Sequence, residues 1–264
     1  MRQIGSADNP RFKALRKLLQ SSQERKRTGL SALDGIHLVI AYCDNVGLPQ
    51  QVAVSRSGLA DPEIGTLLTK MPRVEPLVLS DGLFKQLSSV TTPTGILAVV
   101  KTPRPQPVPT ALDACVMLED IQDPGNLGSI LRSAAAAGVR HVLLSERSAH
   151  AWSPRVLRAA MGAHFVLNIY EFVNLLDAAR AFSGRVIATR QRAPRSVYDA
   201  DLTGGIALLF GNEGAGLSRE LLAAAHAVVA IPMPGKVESL NVAATAAVCL
   251  FERVRQLKAM RNDE

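Results

Sequence analysis

Four prolines at alternate positions, Pro103, Pro105, Pro107 and Pro109, interrupt the chain and set its architecture. Proline has no N–H to give to a helix or a central strand, and its ring fixes φ, so this stretch belongs to neither. It favours an extended, semi-rigid spacer. The chain therefore divides into residues 1–100, a linker at 101–110, and residues 111–264. Both flanking parts are long enough to bury a core of their own.

The second part alternates regularly. Apolar runs at 115–118, 141–144, 166–169, 186–188, 206–210 and 228–231 read as strands, and helical stretches fall between them. A long helix is expected from Leu240 to about Lys258. Continuous apolar strands alternating with helices imply a parallel sheet covered on both faces. The first part reads as a smaller α/β domain, with strands at 51–54, 74–79 and 96–100 and helices at 36–42 and 82–87.

That first part opens on a basic helix. Phe12, Leu15, Leu18 and Leu19 recur at helical spacing and form one apolar face. Arg11, Lys13, Arg16 and Lys17 lie on the others, and Arg25, Lys26 and Arg27 follow. Residues 1–30 hold eight Lys or Arg against two acids. At that density these seven side chains are candidates for contact with the phosphates of a nucleic acid. The whole chain carries a net charge of +7, which also favours an anionic partner. Aromatic residues are only 4%, too few for a binder that works by stacking bases on rings.

Other classes are disfavoured. Cys43, Cys115 and Cys249 are odd in number and far apart, so no disulfide framework or Cys-x-x-Cys pair is expected. The five histidines show no His-x-x-x-His spacing, and no metal site is expected. No apolar core of a signal peptide follows Met1, and no uncharged apolar run reaches the ~18 residues of a membrane span. A cytoplasmic protein without a membrane partner is the expectation.

Three segments of the second part have compositions that packing alone explains poorly. Leu118-Glu-Asp-Ile-Gln-Asp-Pro-Gly-Asn-Leu-Gly-Ser-Ile-Leu-Arg132 takes a strand through a polar turn into a helix beginning near Asn126. Leu208-Leu-Phe-Gly-Asn-Glu-Gly-Ala-Gly-Leu-Ser218 runs a buried strand into three glycines, where a backbone turns tightly or a ligand comes close. Ile231-Pro-Met-Pro-Gly-Lys-Val-Glu-Ser-Leu-Asn241 passes through a Pro/Gly loop into an alanine-rich helix. Taken singly, each has a plain structural account. Asn126 and Ser239 suit helix N-caps, and Arg132 suits a surface residue with a buried stem. The glycine run matches neither a dinucleotide fingerprint nor a P-loop.

Taken in order, the three segments resemble the SpoU (TrmH) family of RNA ribose methyltransferases, within the knotted SPOUT superfamily. The resemblance covers residues 114–255 and extends to Ser153-Pro-Arg-Val-Leu-Arg-Ala-Ala-Met-Gly-Ala163, where the family's common Arg-Ala-Ser is Arg158-Ala159-Ala160. More loosely, the first part is similar to the family's ribosomal-protein-like substrate-binding domain, through Asn9, the basic helix and Asp34-Gly35.

The resemblance implies a deep trefoil knot in the second part, which general folding rules would not offer. It implies S-adenosylmethionine as methyl donor, held near Thr189, Gly211, Ile231 and Leu240, and a homodimer whose partner completes each active site. It places Arg132, Asn126, Glu213, Ser239 and Asn241 at the chemistry. The implied reaction is 2′-O-methylation of a ribose in RNA. A separate first domain favours large-subunit ribosomal RNA over transfer RNA. Rival readings are a transfer-RNA ribose methyltransferase, a methyltransferase acting on a base nitrogen, and a non-catalytic RNA-binding or ribosome-assembly protein. The last predicts loss of the cofactor-loop residues or of Arg132, and all are present.

Overall fold

The structure, a computed structural model, describes residues 2–88, 92–104 and 106–262. Pro105 of the spacer, residues 89–91 and the outermost terminal residues of the two expected domains lie outside them. The chain forms two compact units: Met1–Arg104 with Trp152–Phe165, and Pro105–Ala151 with Val166–Glu264.

The first unit is built on β1 (Arg2–Ile4), β2 (Leu30–Asp34), β3 (Gln51–Ser55), β4 (Leu77–Leu79) and β5 (Ile96–Lys101). They form one mixed sheet in the order β1-β4-β3-β5-β2. The short edge strand β1 and the strand β2 were not expected from the sequence. Helices α1 (Pro10–Gln20), α2 (Ser22–Thr28), α3 (Ile36–Asn45), α4 (Arg56–Leu59), α5 (Pro62–Thr69) and α6 (Asp81–Leu87) complete it. Phe12, Leu15 and Leu18 of α1 turn inward, as their spacing predicts, and join Leu79, Phe84 and Leu97 in one core. Asn9 caps α1 by accepting from Arg11 N at 2.9 Å, and Pro10 fills the first turn, where a missing N–H costs nothing.

Two sequence expectations are corrected in this unit. The sheet runs past residue 100: β5 includes Lys101, and Thr102 N donates to Gly29 O at 2.9 Å. The unit also takes in Trp152–Phe165, which the proline boundary had assigned to the second domain. Helix α8 (Pro154–Ala160) buries Val156, Leu157 and Ala160 and lies against β2. Phe165 meets Tyr42 edge-to-face, with centroids 5.3 Å apart. Gly162 has φ +91, and a Cβ there would sit 2.8 Å from the Ala41 side chain, so only glycine fits.

The second unit contains β6 (Ala114–Leu118), β7 (His141–Leu144), β8 (Asn168–Tyr170), β9 (Arg185–Thr189), β10 (Arg195–Ser196), β11 (Ile206–Phe210) and β12 (Ala227–Ala230). They pair in the order β10-β12-β9-β11-β6-β7-β8, and every pairing is parallel. Only the two-residue β10 was absent from the sequence reading. Cys115, Met117, Val186, Ala188, Ala207 and Leu209 bury one face of the sheet against Leu175 and Ala179 of α9 (Leu175–Ala181) and Leu221 of α10 (Arg219–Ala224). The alternate residues Val116, Leu118, Leu208 and Phe210 are buried as well. Helix α7 (Pro124–Ala136) packs against α11 (Val242–Asn262), and α11 reaches β11. Because the sheet is parallel, the chains leaving β6, β9, β11 and β12 all emerge at one edge, where open α/β sheets bind ligands.

Candidate active site

The turn after β6 is tightly determined. Asp120 has φ +55, an uncommon conformation for a residue with a side chain. Ser145 holds it from two sides: Asp120 N donates to Ser145 Oγ at 2.8 Å, and Ser145 Oγ donates to Asp120 Oδ1 at 2.6 Å. Arg147 adds an ion pair to the same carboxylate. Asp123 then caps α7 by accepting from Asn126 N at 2.8 Å. Asn126 is therefore not the cap that its position suggested. It stands in the first turn with its side chain free for another task.

Asn212 shapes the second segment. Its Oδ1 accepts from Gly214 N and Ala215 N, both at 2.9 Å, and its Nδ2 donates to Asp120 O at 2.8 Å. The loop folds back so closely that a Cβ on Gly211 would lie 2.3 Å from the Gly216 backbone. Sequence reasoning passed over Asn212, although an Asn followed by glycines is a known signal for such a turn.

The folded loop presents Glu213. Its Oε1 accepts from Asn126 Nδ2 at 3.0 Å and Asp123 N at 3.2 Å, and its Oε2 accepts from Gln122 N at 3.4 Å. Asn126 Oδ1 accepts in turn from Asn241 Nδ2 at 2.8 Å. Glu213, Asn126 and Asn241 thus form one hydrogen-bonded chain that ties together three segments, its two bonds spanning 87 and 115 residues of sequence. Partial burial pushes the Glu213 carboxyl up, but the Asn126 amide and the backbone N–H groups outweigh it and hold the group below the usual carboxylate range. Asn241 also caps α11 through Oδ1, which accepts from Ala243 N at 2.8 Å and Ala244 N at 3.4 Å. The expected cap, Ser239, lies two residues upstream and lines the cleft instead.

These residues border a cleft of about 780 Å³. Thr189, Gly211, Ile231 and Leu240 all line it, together with Asn126, Glu213, Ser239 and Asn241. Its walls combine the apolar Leu217, Leu222, Val229 and Met233 with polar groups such as Arg190, Gln191 and Arg219, so it is a mixed, largely polar cleft. The Thr189 hydroxyl donates to Leu209 O at 2.9 Å, which leaves its methyl and backbone to the cleft. Cys249 reaches the cleft wall, and burial pushes its thiol up to about 12, so it stays protonated and is no nucleophile at neutral pH. Among the described residues no group of three His, Cys, Asp or Glu is placed to hold a metal ion, and no helix is long and apolar enough to cross a membrane.

Arg132 is not in this group. It lies six residues beyond Asn126 on α7, is exposed, and does not line the cleft. The basic candidates of α1 and α2 belong to the first unit. Arg11, Lys17 and Lys26 are exposed. Lys13 pairs with Asp8 at 2.8 Å, Arg27 with Glu24 at 2.6 Å, and Arg16 lies over the Phe12 ring at 5.9 Å. Arg25 is a correction: it is only 8% exposed, and its Nη1 donates to Leu18 O at 2.8 Å and Leu19 O at 3.1 Å. Burial draws its guanidinium below its usual value. It closes the carboxyl end of α1 and has no face left for a phosphate.

Residues 113–251 match the SpoU rRNA Methylase family. A 23S rRNA (guanosine(2553)-2′-O)-methyltransferase, RlmP of Bacillus subtilis, is 30% identical over 95% of this chain and 98% of its own length. A 23S rRNA (guanosine-2′-O-)-methyltransferase, RlmB of a Burkholderia species, is 36% identical over 66% of this chain and 70% of its own length. The crystal structure of an AdoMet-bound rRNA methyltransferase from Sinorhizobium meliloti superposes with a TM-score of 0.83 at 27% identity, covering 97% of this chain and 98% of that one. The motif residues, the all-parallel sheet and these likenesses agree, and the chain belongs to the SpoU rRNA methylase family.

Proposed function

We propose that the protein methylates a ribose 2′-hydroxyl of large-subunit ribosomal RNA, with S-adenosylmethionine as donor. The observation that carries this reading is the hydrogen-bonded chain Glu213–Asn126–Asn241 at the rim of the cleft. It fixes two amides and a carboxylate beside a cleft of mixed polar and apolar lining, large enough for a nucleoside-sized donor. Both relatives named for 23S rRNA support the RNA class, and the likeness to RlmP spans the first unit as well as the second.

Thr189, Gly211, Ile231 and Leu240 would hold the cofactor, mainly by backbone and apolar contact. When bound, it supplies a methyl group already activated on a sulfonium. The protein must then orient the ribose and lower the cost of removing the hydroxyl proton. Asn126, Ser239 and Asn241 orient the ribose. Glu213 locks the three loops in register. Arg132 binds the phosphate beside the reacting ribose and stabilises the developing alkoxide, because a guanidinium stays protonated and serves better as a clamp than as a base.

Arg132 is exposed and lies outside its own cleft, which supports a homodimer in which it serves the cleft of a second copy. The C-terminal path supports the trefoil knot. The 190–205 connection is gripped at one end by Gln191 Nε2 donating to Glu238 O at 3.0 Å. At the other, Arg253 Nη1 donates to Leu202 O at 2.6 Å and Gln256 Oε1 accepts from Leu202 N at 2.8 Å. The basic face of α1 and α2, without Arg25, is the RNA-binding surface of the first unit.

The test is methyl transfer from tritiated S-adenosylmethionine to unmodified ribosomal RNA and transfer RNA in parallel. Label is expected in ribosomal RNA, surviving alkaline hydrolysis as a protected dinucleotide. Label confined to transfer RNA would overturn the substrate, and alkali-labile or base-linked label would overturn the ribose chemistry.

A further inference from the structure

The second unit carries a group of cations that the reaction above does not use. Arg190, Arg192 and Arg195 fall within six residues, directly after the carboxyl end of β9. Lys236 stands in the loop after β12. All four are exposed. None has an ion pair or a side-chain hydrogen bond among the described residues, in contrast to Lys13 and Arg27 of the first unit. Like charges gathered at one edge without counter-ions repel one another, and a polyanion relieves that repulsion.

Three of them, Arg190, Arg192 and Lys236, border a built concavity. A second cavity of about 450 Å³ adjoins the cleft and is lined by Arg192, Pro232, Lys236 and Val237. The two cavities share Gln191, Ile231, Met233 and Glu238 as a common wall. The hydrogen bond from Gln191 Nε2 to Glu238 O pins the two loops together at that wall. Arg190 lines the cleft on one side of it, and Arg192 lines the second cavity on the other. Among the described residues, the carboxylates lining the two cavities are Glu238, at the shared wall, and Glu213, which is bound to Asn126.

We propose that the second cavity is a subsite for the substrate RNA, in which Arg192 and Lys236 hold a phosphodiester flanking the target ribose. The proposal rests on the function given above and deepens it, because the methyltransferase unit then grips the strand itself. A guanidinium forks onto two phosphate oxygens, while an ammonium acts as a point charge beside them. Such a contact positions the strand and reads no base. Its loss therefore weakens RNA binding and leaves the bound reaction intact.

The test compares the full-length wild type with Arg192→Ala/Lys236→Ala. Three quantities are measured: filter binding to an unmodified large-subunit ribosomal RNA transcript over a salt series, methyl transfer to that RNA, and S-adenosylmethionine affinity by calorimetry. The double variant is expected to raise the KM for RNA about tenfold or more. Its log affinity–log salt slope should flatten by about 0.7, the contribution of one neutralised phosphate on a single strand. kcat at saturating RNA and cofactor affinity should stay within about twofold. Arg192→Lys, which keeps the charge, should recover most of the affinity. Unchanged RNA affinity and slope in an active protein would overturn the subsite alone. A loss of cofactor affinity with unchanged RNA binding would assign the cations to the methyl donor and overturn it too. A wild type that transfers no methyl to RNA would overturn the function and the subsite together.

Discussion

Asn241 performs two tasks with one amide. Its oxygen caps α11, and its nitrogen continues the chain to Asn126 and Glu213. Two substitutions separate them. Asn241→Asp keeps an oxygen for the cap but loses the donor, so stability in urea should stay within about 0.5 kcal/mol while methyl transfer falls about tenfold or more. Asn241→Ala loses both and should also cost about 1 kcal/mol of stability. Equal losses of stability in the two variants, with methyl transfer unchanged in Asn241→Asp, would show that the amide donor matters to folding and not to chemistry. Glu213 gives a pH signature at the same place. Its carboxyl is held below the ordinary value of 4.5, so its contribution is complete above that value and disappears as pH falls through the lower, folded value. Melting temperature should therefore drop more steeply between neutral pH and the region below 4.5 in the wild type than in Glu213→Gln, which has no charge to lose. Parallel curves would remove Glu213 from the acid response. Arg132 is exposed and does not line its own cleft, and as the proposed phosphate clamp it can be removed without disturbing that cleft, so Arg132→Ala should keep fold and cofactor binding and lose about 100-fold in turnover. Near-normal turnover would take Arg132 out of the mechanism.

The hairpin of α1 and α2 shows how charge at the level of an element misleads. Arg25, Lys26 and Arg27 are consecutive, yet helical geometry sends Arg25 inward to the last carbonyls of α1, which have no partner within their own helix. Arg25→Ala should lower unfolding free energy by about 1–3 kcal/mol and leave the RNA salt slope unchanged, and Lys26→Ala should do the reverse. A salt slope altered by Arg25→Ala in folded protein would return it to the RNA surface. The same contrast marks what the sequence discloses. Strands such as 141–144 and 206–210 were legible because a parallel sheet buries both faces and leaves an unbroken apolar run. β10 is two polar residues with no hydrophobic signal, and in β2 the buried Ser31, in a hydroxyl contact with Thr102 at 2.7 Å, interrupts the short apolar set Leu30, Ala32 and Leu33. At the site, the motif residues Asn126, Glu213 and Asn241 were legible together through the family resemblance, but their bonding order was not. Asp123 and Asn241 took the capping tasks expected of Asn126 and Ser239, because a cap depends on which residue stands just before the first turn. The arginines after β9 were visible as letters, and only the adjoining cavity made them informative.

Each unit of the whole molecule has its own core, yet neither is a single run of chain. The backbone passes between units at residues 104–105, 151–152 and 165–166. The excursion Trp152–Phe165 follows the pattern of the methyltransferase half, but it packs against the sheet of the other. An apolar pattern reports that a face is buried and not what it is buried against, so the proline spacer was the natural and incomplete place to divide the chain. A physical consequence follows for fragments cut at that spacer. Residues 1–104 alone lack the cover that α8 gives to β2 and the Phe165 ring that meets Tyr42. Val156 and Leu157 are fully buried, and burying each such side chain contributes about 1.5–3 kcal/mol as an upper estimate. The fragment should therefore be less stable than the same unit in the full chain by about 3 kcal/mol or more, and it should bind a dye that reports exposed apolar surface. A peptide of residues 150–167 added in trans should raise its urea midpoint with the logarithm of peptide concentration above the peptide's Kd, because it binds only the folded fragment. A peptide with Leu157→Asp and Phe165→Asp should have no such effect. A fragment that unfolds cooperatively at the full-length midpoint, indifferent to the peptide, would mean that the first unit is complete without the excursion and that the proline spacer is the true boundary.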